Sequence, residues 1–101
     1  MAIGRQQRRA ERRPLVSERF DAVYVEVVLD LLDLADMAWH DCYGPRELEV
    51  PPRVVDDILL LAEGDLAKLI QVTRSAVIDF RDVRVAADAQ RAERPSDPEH
   101  R

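Results

Sequence analysis

The 101-residue sequence is poor in cysteine, glycine, lysine and long apolar runs. Its single cysteine, Cys42, cannot form a disulfide within the chain, which predicts a protein of the reducing cytoplasm. The longest apolar run without a charge covers five residues, 58–62, whereas a membrane span needs about 20, and no secretory apolar segment follows the N-terminal arginines. With three glycines and 47% hydrophobic residues, the composition is typical of an ordered helical protein.

Charge is distributed unevenly along the chain. Residues 1–16 carry five arginines and one glutamate, whereas residues 17–92 carry sixteen acidic and eight basic residues. The sequence therefore describes an acidic body with a basic N-terminal segment.

The stretch 17–43 has the clearest periodicity. At 100° per residue, its charged residues fall within an arc of roughly 140°, and apolar residues cover the rest. This pattern predicts one long helix, capped by Ser17 and ended by Gly44 and Pro45. Several valines in 20–29 also suit a strand, but the acidic residues that follow keep a spacing of three or four, which favours the helix.

Two further helices are predicted after it. Pro51-Pro52 suits the first turn of a second helix, and Asp65 is placed to cap a third, whose apolar stripe is regular as far as Phe80. In the connector between the first two helices, Leu48 and Val50 alternate with glutamates, which predicts that both point inward.

These elements predict an all-α fold in a chain of three segments. The middle segment, residues 15–92, is a single domain in which a long N-terminal helix packs with two further helices. Residues 1–14 have no apolar face to bury, so they are expected to form a basic, flexible arm. The proline-rich residues 93–101 are predicted to form a disordered tail.

The apolar surface of the first predicted helix is too wide to be covered by two helices that each have one apolar stripe. A surplus of this kind usually forms an interface, and a small domain gains stability from added burial. The sequence therefore predicts a dimeric bundle, with an unidentified partner protein or a tightly wrapped monomer as alternatives. The interface residues predicted for it are Val25, Leu29, Leu32 and Trp39.

The arginines of the arm would share one face of a helix. They are candidate anion-binding residues, and nucleic acid is one anion that they could bind. The acidic body opposes that interpretation, and the arm has no aromatic residue for stacking on bases. Neutralisation by the acidic stripe of the first helix, from the same chain or a dimer mate, and an unattached arm are the alternatives. The candidate residues are Arg5, Arg8, Arg9, Arg12 and Arg13.

Asp36, His40 and Cys42 are residue types that bind zinc, but a regular helix directs only two of them to one point and no second His or Cys pair exists. Cys42 likewise lacks the surroundings of a nucleophile. We therefore predict no metal site and no cofactor.

A second catalytic hypothesis uses two sets of carboxylates with D-x-x-D spacing, which could bind Mg²⁺ and hydrolyse nucleotide pyrophosphates if they faced each other. On the helical wheel both sets lie opposite the apolar stripes and point to water instead. They are Asp30, Asp33 and Asp36 on the first helix, and Asp79 and Asp82 on the third.

The function predicted from these patterns is self-association and protein–protein contact, structural or regulatory, rather than catalysis. A nucleic-acid-associated regulator and a magnesium-dependent nucleotide pyrophosphohydrolase are the two alternatives. No membrane association is predicted.

Overall fold

A computed structural model describes residues 2–93, and side chains from residue 4 onward. The chain is all-α, as predicted, but the described residues form four α-helices and one short 3₁₀ turn instead of three helices. The elements are α1 (Ala2–Arg19), a 3₁₀ turn (Ala22–Tyr24), α2 (Val25–Tyr43), α3 (Pro52–Ala62) and α4 (Leu66–Glu93). The predicted tail 93–101 lies outside the described residues except for Glu93.

The single helix predicted over 17–43 is wrong. The chain leaves the helical conformation at Asp21 (φ −59°, ψ 150°), and α2 starts only at Val25. Ser17 lies inside α1 rather than at a helix start. Because Phe20 and Val25 are both buried at the turn, the apolar pattern runs through it without interruption and does not mark the break.

Helix α1 occupies the segment predicted to be a flexible arm. It runs antiparallel to α2, since residue 5 pairs with residue 33 and residue 13 with residue 26. Val16 is fully buried near its end, and Pro14 lies inside it, although a proline there lacks the N–H of a regular helical bond. The expectation of a flexible arm rested on the lack of an apolar face, whereas the structure places the arginines of this segment against carboxylates of α2.

The remaining helix ends agree with their sequence signals. Helix α2 ends at Tyr43 before Gly44 (φ 112°), and the Asp65 carboxylate accepts hydrogen bonds from two backbone N–H groups of the first turn of α4. The connector differs from the prediction, because Val50 is buried whereas Leu48 is 66% exposed.

The four residues predicted to form a dimer interface lie in the core of the single chain. Val25, Leu29, Leu32 and Trp39 are 7%, 0%, 0% and 2% exposed. Helix α1, absent from the predicted domain, supplies part of their cover, so the surplus apolar surface assigned to these residues does not exist. Other apolar side chains of α2 remain exposed and are described below.

Helix α4 bends at Asp79, whose backbone is not helical (φ −157°, ψ 99°). The hydroxyl of Tyr43 is inserted there: it donates to the carbonyl of Ala76 at 2.9 Å and accepts from the N–H of Phe80 at 3.2 Å. In a regular helix those two backbone groups would bond to each other. The side chain of α2 therefore accounts for the bend of α4.

Replacing Tyr43 with phenylalanine is expected to lower the free energy of unfolding by about 1–2 kcal/mol, because two backbone groups lose their partner. Urea unfolding measures the effect. Tyr24→Phe is the matched control, since Tyr24 is 40% exposed and its hydroxyl makes no hydrogen bond to any described residue; equal losses in the two variants would contradict the inserted hydroxyl.

Candidate functional site

Helices α1 and α2 are joined by a layer of ion pairs, which we call the α1–α2 ion-pair layer. All five arginines of the candidate anion-binding set point at carboxylates of the same chain, which is the intrachain form of neutralisation considered above. Its members are Arg5, Arg8, Arg9, Arg12 and Arg13 on α1, and Glu26, Asp30, Asp33 and Asp36 on α2.

Asp36 lies at the buried centre of this layer and is 3% exposed. Its two oxygens accept from both terminal nitrogens of Arg12, at 2.9 and 3.0 Å, and from Nε of Arg8 at 3.2 Å. A fourth hydrogen bond comes from the backbone N–H of Val50, at 2.8 Å. Asp36 thus connects α1, α2 and the connector to α3, and four donors compensate its burial.

Asp33 occupies the next turn toward the N-terminus of α2. Its Oδ2 accepts from Arg9 at 2.6 Å and from Arg5 at 3.2 Å. The hydrogen bond to Asp33 is the main reason that the pKa of Arg9 lies above its ordinary value. The other oxygen, Oδ1, is buried and has no hydrogen-bond donor within the described part of the chain.

Glu26 closes the exposed end of the layer, where it pairs with Arg13 and Arg9. The hydrogen bond from Arg13 is the main cause that lowers the pKa of Glu26 below its ordinary value of 4.5. A carboxyl group whose pKa is lower in the folded state contributes stability above its unfolded pKa, and this contribution is lost as pH falls through the folded pKa.

The Glu26→Gln variant is therefore expected to be less stable than the natural chain at neutral pH. The difference in the free energy of unfolding between the two is expected to become smaller below about pH 4.5. Urea unfolding at neutral pH and at acidic pH measures the difference between the two losses. Glu18→Gln is the control, because Glu18 is exposed and no ion pair of it occurs among residues 4–93; an identical pH profile for the two variants would argue against the pair with Arg13.

A second, smaller group of ion pairs joins α3 to the C-terminal half of α4. Asp57 is 3% exposed and pairs with Arg91 at 2.8 Å and with Arg84 at 3.7 Å. The hydrogen bond to Asp57 is the main cause that raises the pKa of Arg91. On a helical wheel Arg84 falls on the apolar side of its helix. In the structure its guanidinium group faces the buried carboxylate of Asp57.

The structure does not assemble the catalytic sets considered from sequence. Asp36 is occupied by arginines, while His40 contacts the Glu47 carbonyl through Nδ1 at 3.2 Å and Cys42 is exposed. Asp79 pairs with Arg81 on its own helix. Within the described residues, no three His, Cys, Asp or Glu side chains are grouped so as to hold a metal ion.

An apolar groove of about 340 Å³ lies between α2 and the first half of α4. Leu34, Ile70 and Ile78 are 60%, 54% and 70% exposed there. We call this surface the α2–α4 face. The residues that line the groove are Leu31, Leu34, Ala35, Ala38, Ile70, Thr73, Arg74, Val77 and Ile78.

A larger cleft of about 680 Å³ lies between the N-terminal turns of α1 and the C-terminal half of α2. We call it the α1–α2 cleft. It combines charged side chains with exposed apolar ones, and sequence reasoning did not identify it because it depends on α1 lying against α2. Its lining residues are Gly4, Arg5, Arg8, Asp30, Asp33, Leu34, Asp36, Met37, His40, Asp41 and Leu48.

Comparisons with protein-family models, curated proteins and solved structures found no match to this chain. None of the described helices is both long and apolar enough to cross a lipid bilayer.

Proposed function

We propose that this protein acts by self-association, as a homodimer whose two α2–α4 faces pack together in a structural or regulatory role. The observation that supports this proposal is the apolar groove with three more than half-exposed aliphatic side chains, Leu34, Ile70 and Ile78. Contiguous apolar surface of this kind is characteristic of protein–protein contact.

The spacing of the apolar residues on this side of α2 favours a helix as the occupant. Val27, Leu31, Leu34 and Ala38 recur at intervals of four, three and four residues along α2, which is the pattern of a helix that packs against another helix. Val27 is 43% exposed and extends the apolar stripe toward the start of α2. In a second copy, α2 and α4 present the same pattern, so a twofold arrangement would cover both faces with helices.

Charge at the edges of the face is complementary between copies. Asp41 is exposed on α2 and has no ion pair among residues 4–93, whereas Arg74 is exposed in the groove wall on α4. Among residues 4–93, Arg74 has no ion pair. A twofold dimer that places α2 of one copy against α4 of the other would bring Asp41 of each copy toward Arg74 of its partner.

The size of the face predicts a weak dimer. Helix α2 has 19 residues, so it is about 28 Å long at about 1.5 Å per residue, and two packed helices are about 20 Å wide. A projected area of roughly 500 Å² is small against the about 800 Å² per partner of a standard interface. We expect a dissociation constant in the micromolar range.

Ile70→Glu is expected to weaken self-association at least about 100-fold, because it places a carboxylate in the apolar centre of the interface in both copies. Sedimentation equilibrium from micromolar to millimolar protein gives the dissociation constant. Val85→Glu is the matched control: Val85 is 69% exposed on the same helix but does not line the groove. A natural chain that stays monomeric at millimolar concentration, or equal effects of the two variants, would overturn the proposal.

The nucleic-acid alternative has less support, because each arginine of α1 already faces a carboxylate of α2. The pyrophosphohydrolase alternative loses two of its carboxylates to the same pairs, since Asp33 and Asp36 are bound by arginines. A cytoplasmic location stays a prediction from the single cysteine.

A further inference from the structure

We infer that two copies of this chain exchange the C-terminal half of α4, residues 80–93. In the exchanged form α4 is straight at Asp79, and its C-terminal half packs on α3 of the other copy. The surface that receives the segment is the one that it covers in the single chain, where Arg91 pairs with Asp56 and Asp57 at 2.9 and 2.8 Å. The exchange does not use the α2–α4 face.

The bend at Asp79 keeps residues 80–93 on α3 of their own chain. A tight turn joins α3 to α4, so Asp57 lies within about 20 Å of Leu66. In a straight helix Arg91 would lie about 37 Å from Leu66, at about 1.5 Å per residue, and its side chain could not reach Asp57. Straightening α4 therefore uncovers the buried carboxylate, and the same segment of a second copy can then cover it.

The sequence of α4 suits a continuous helix. Residues 66–93 contain neither glycine nor proline, the residues that usually cause a sharp kink. The buried residues of α4 are spaced by seven, seven and four positions, which is one uninterrupted helical stripe across the bend. A straight α4 therefore keeps them on one side, with its first half on α3 of its own chain and its second half on α3 of the other. These residues are Leu69, Ala76, Val83 and Ala87.

Two side chains hold the bend. Ala76 and Phe80 are four residues apart, so the carbonyl and the N–H that the Tyr43 hydroxyl bridges would form one regular helical bond in a straight α4. Asp79 caps the second half, because its Oδ1 accepts from the N–H of Arg81 at 3.1 Å. Straightening thus loses the hydroxyl and the cap and regains a backbone hydrogen bond.

The exchanged dimer repeats the contacts of the single chain. The pairs of Asp57 with Arg84 and Arg91, and the burial of Val83 and Ala87, form again between copies. Association costs translational and rotational freedom, which a single chain does not lose. We therefore expect the bent monomer at low concentration and the exchanged dimer at high concentration.

Asp79→Ala tests the exchange, because alanine removes the cap and favours a continuous helix. All chains in the test carry Ile70→Glu, which weakens association through the α2–α4 face. They are refolded from urea at concentrations up to millimolar, diluted to micromolar and separated at once by size-exclusion chromatography. Asp79→Ala is expected to raise the association constant of the dimer about 100-fold, since both bends in the dimer contribute.

Asp79→Asn is the matched control. Asparagine caps a helix about as well as aspartate, so the association constant is expected to change by less than about threefold. Because Ile70→Glu is present throughout, a failure of the exchange leaves the α2–α4 dimer standing, and a failure of that dimer leaves the exchange standing. An Asp79→Ala chain that stays monomeric, or equal dimer fractions in the two Asp79 variants, would overturn the proposal.

Tyr43→Phe removes the other side chain that holds the bend. It is expected to raise the association constant about tenfold, because the hydroxyl bonds only in the bent form. Tyr24→Phe is the control and is expected to leave the dimer fraction unchanged. A hydroxyl that only stabilised the fold would lower the free energy of unfolding without raising the dimer fraction, and that result would contradict the exchange.

Cross-linking identifies the exchanged segment. Arg91→Lys places an amine beside the partly exposed Asp56 carboxylate, and a carbodiimide joins the two as an amide in ¹⁴N and ¹⁵N chains that have been refolded together. Mass spectrometry of the dimer fraction is expected to find cross-linked peptides that combine both isotopes, whereas those of the monomer fraction carry one. A dimer fraction whose cross-links all lie within one isotope would overturn the proposal.

Discussion

Asp36→Asn is expected to lower the free energy of unfolding by about 3–5 kcal/mol, the usual cost of leaving one member of a buried ion pair without its partner. Arg12 is 6% exposed and keeps its charge, while the new amide group offers one acceptor oxygen where the carboxylate offered two. With about 5–15 kcal/mol available to a domain, this loss is a large share of the total.

Thermal and urea unfolding measure the effect, and two further variants serve as controls. Asp82→Asn, at an exposed position, is expected to change stability by less than about 0.5 kcal/mol. The double variant Arg12→Met/Asp36→Leu is expected to recover part of the loss, because both members of the buried Arg12–Asp36 pair are removed together. Recovery is incomplete, since the buried N–H of Val50 loses its acceptor and Arg8 keeps only its pair with Glu49. If Asp36→Asn behaved like Asp82→Asn, α1 would not be held on α2 and residues 2–14 would be the flexible arm that the sequence suggests.

Leu32→Ala is expected to cost about 2–5 kcal/mol, since it removes a fully buried side chain and leaves a cavity. Leu34→Ala, two residues away on the same helix, is expected to cost less than about 0.5 kcal/mol, because Leu34 is 60% exposed. Urea unfolding at dilute, monomeric concentration compares the two.

In an association assay the ranking of the two variants is expected to be the reverse of their ranking by loss of stability. Leu34→Ala weakens the dimer there, and Leu32→Ala does not. This reversal distinguishes core from interface. A Leu32→Ala variant that unfolds like the natural chain but fails to associate would restore the interface predicted from sequence and contradict the packing described here.

The sequence was sufficient for features that depend on local chemistry. The end of α2 at Gly44 needs a left-handed residue, and the start of α4 needs the Asp65 side chain, so residue identity at each position determines the outcome. The all-α class followed in the same way from the spacing of apolar residues.

What the sequence did not reveal depends on which elements meet. Helix α1 was missed because residues 1–14 have no apolar period of their own, and the carboxylates that their arginines pair with lie 13 to 28 residues further along the chain, in α2. The bend at Asp79 was missed because the hydroxyl that causes it belongs to Tyr43, on another helix. The interface was placed on buried residues for the same reason, since the cover that α1 provides cannot be read from α2 alone.

We propose that the exposed α2–α4 face, and not the buried side of α2, joins two copies of the chain. Isotope-filtered NOE spectroscopy on a mixture of ¹³C-labelled and unlabelled protein at millimolar concentration tests it directly. We expect intermolecular contacts among the methyl groups of Leu34, Ile70 and Ile78. Intermolecular contacts from Leu29 or Leu32, or a dimer without any contact at the α2–α4 face, would contradict it.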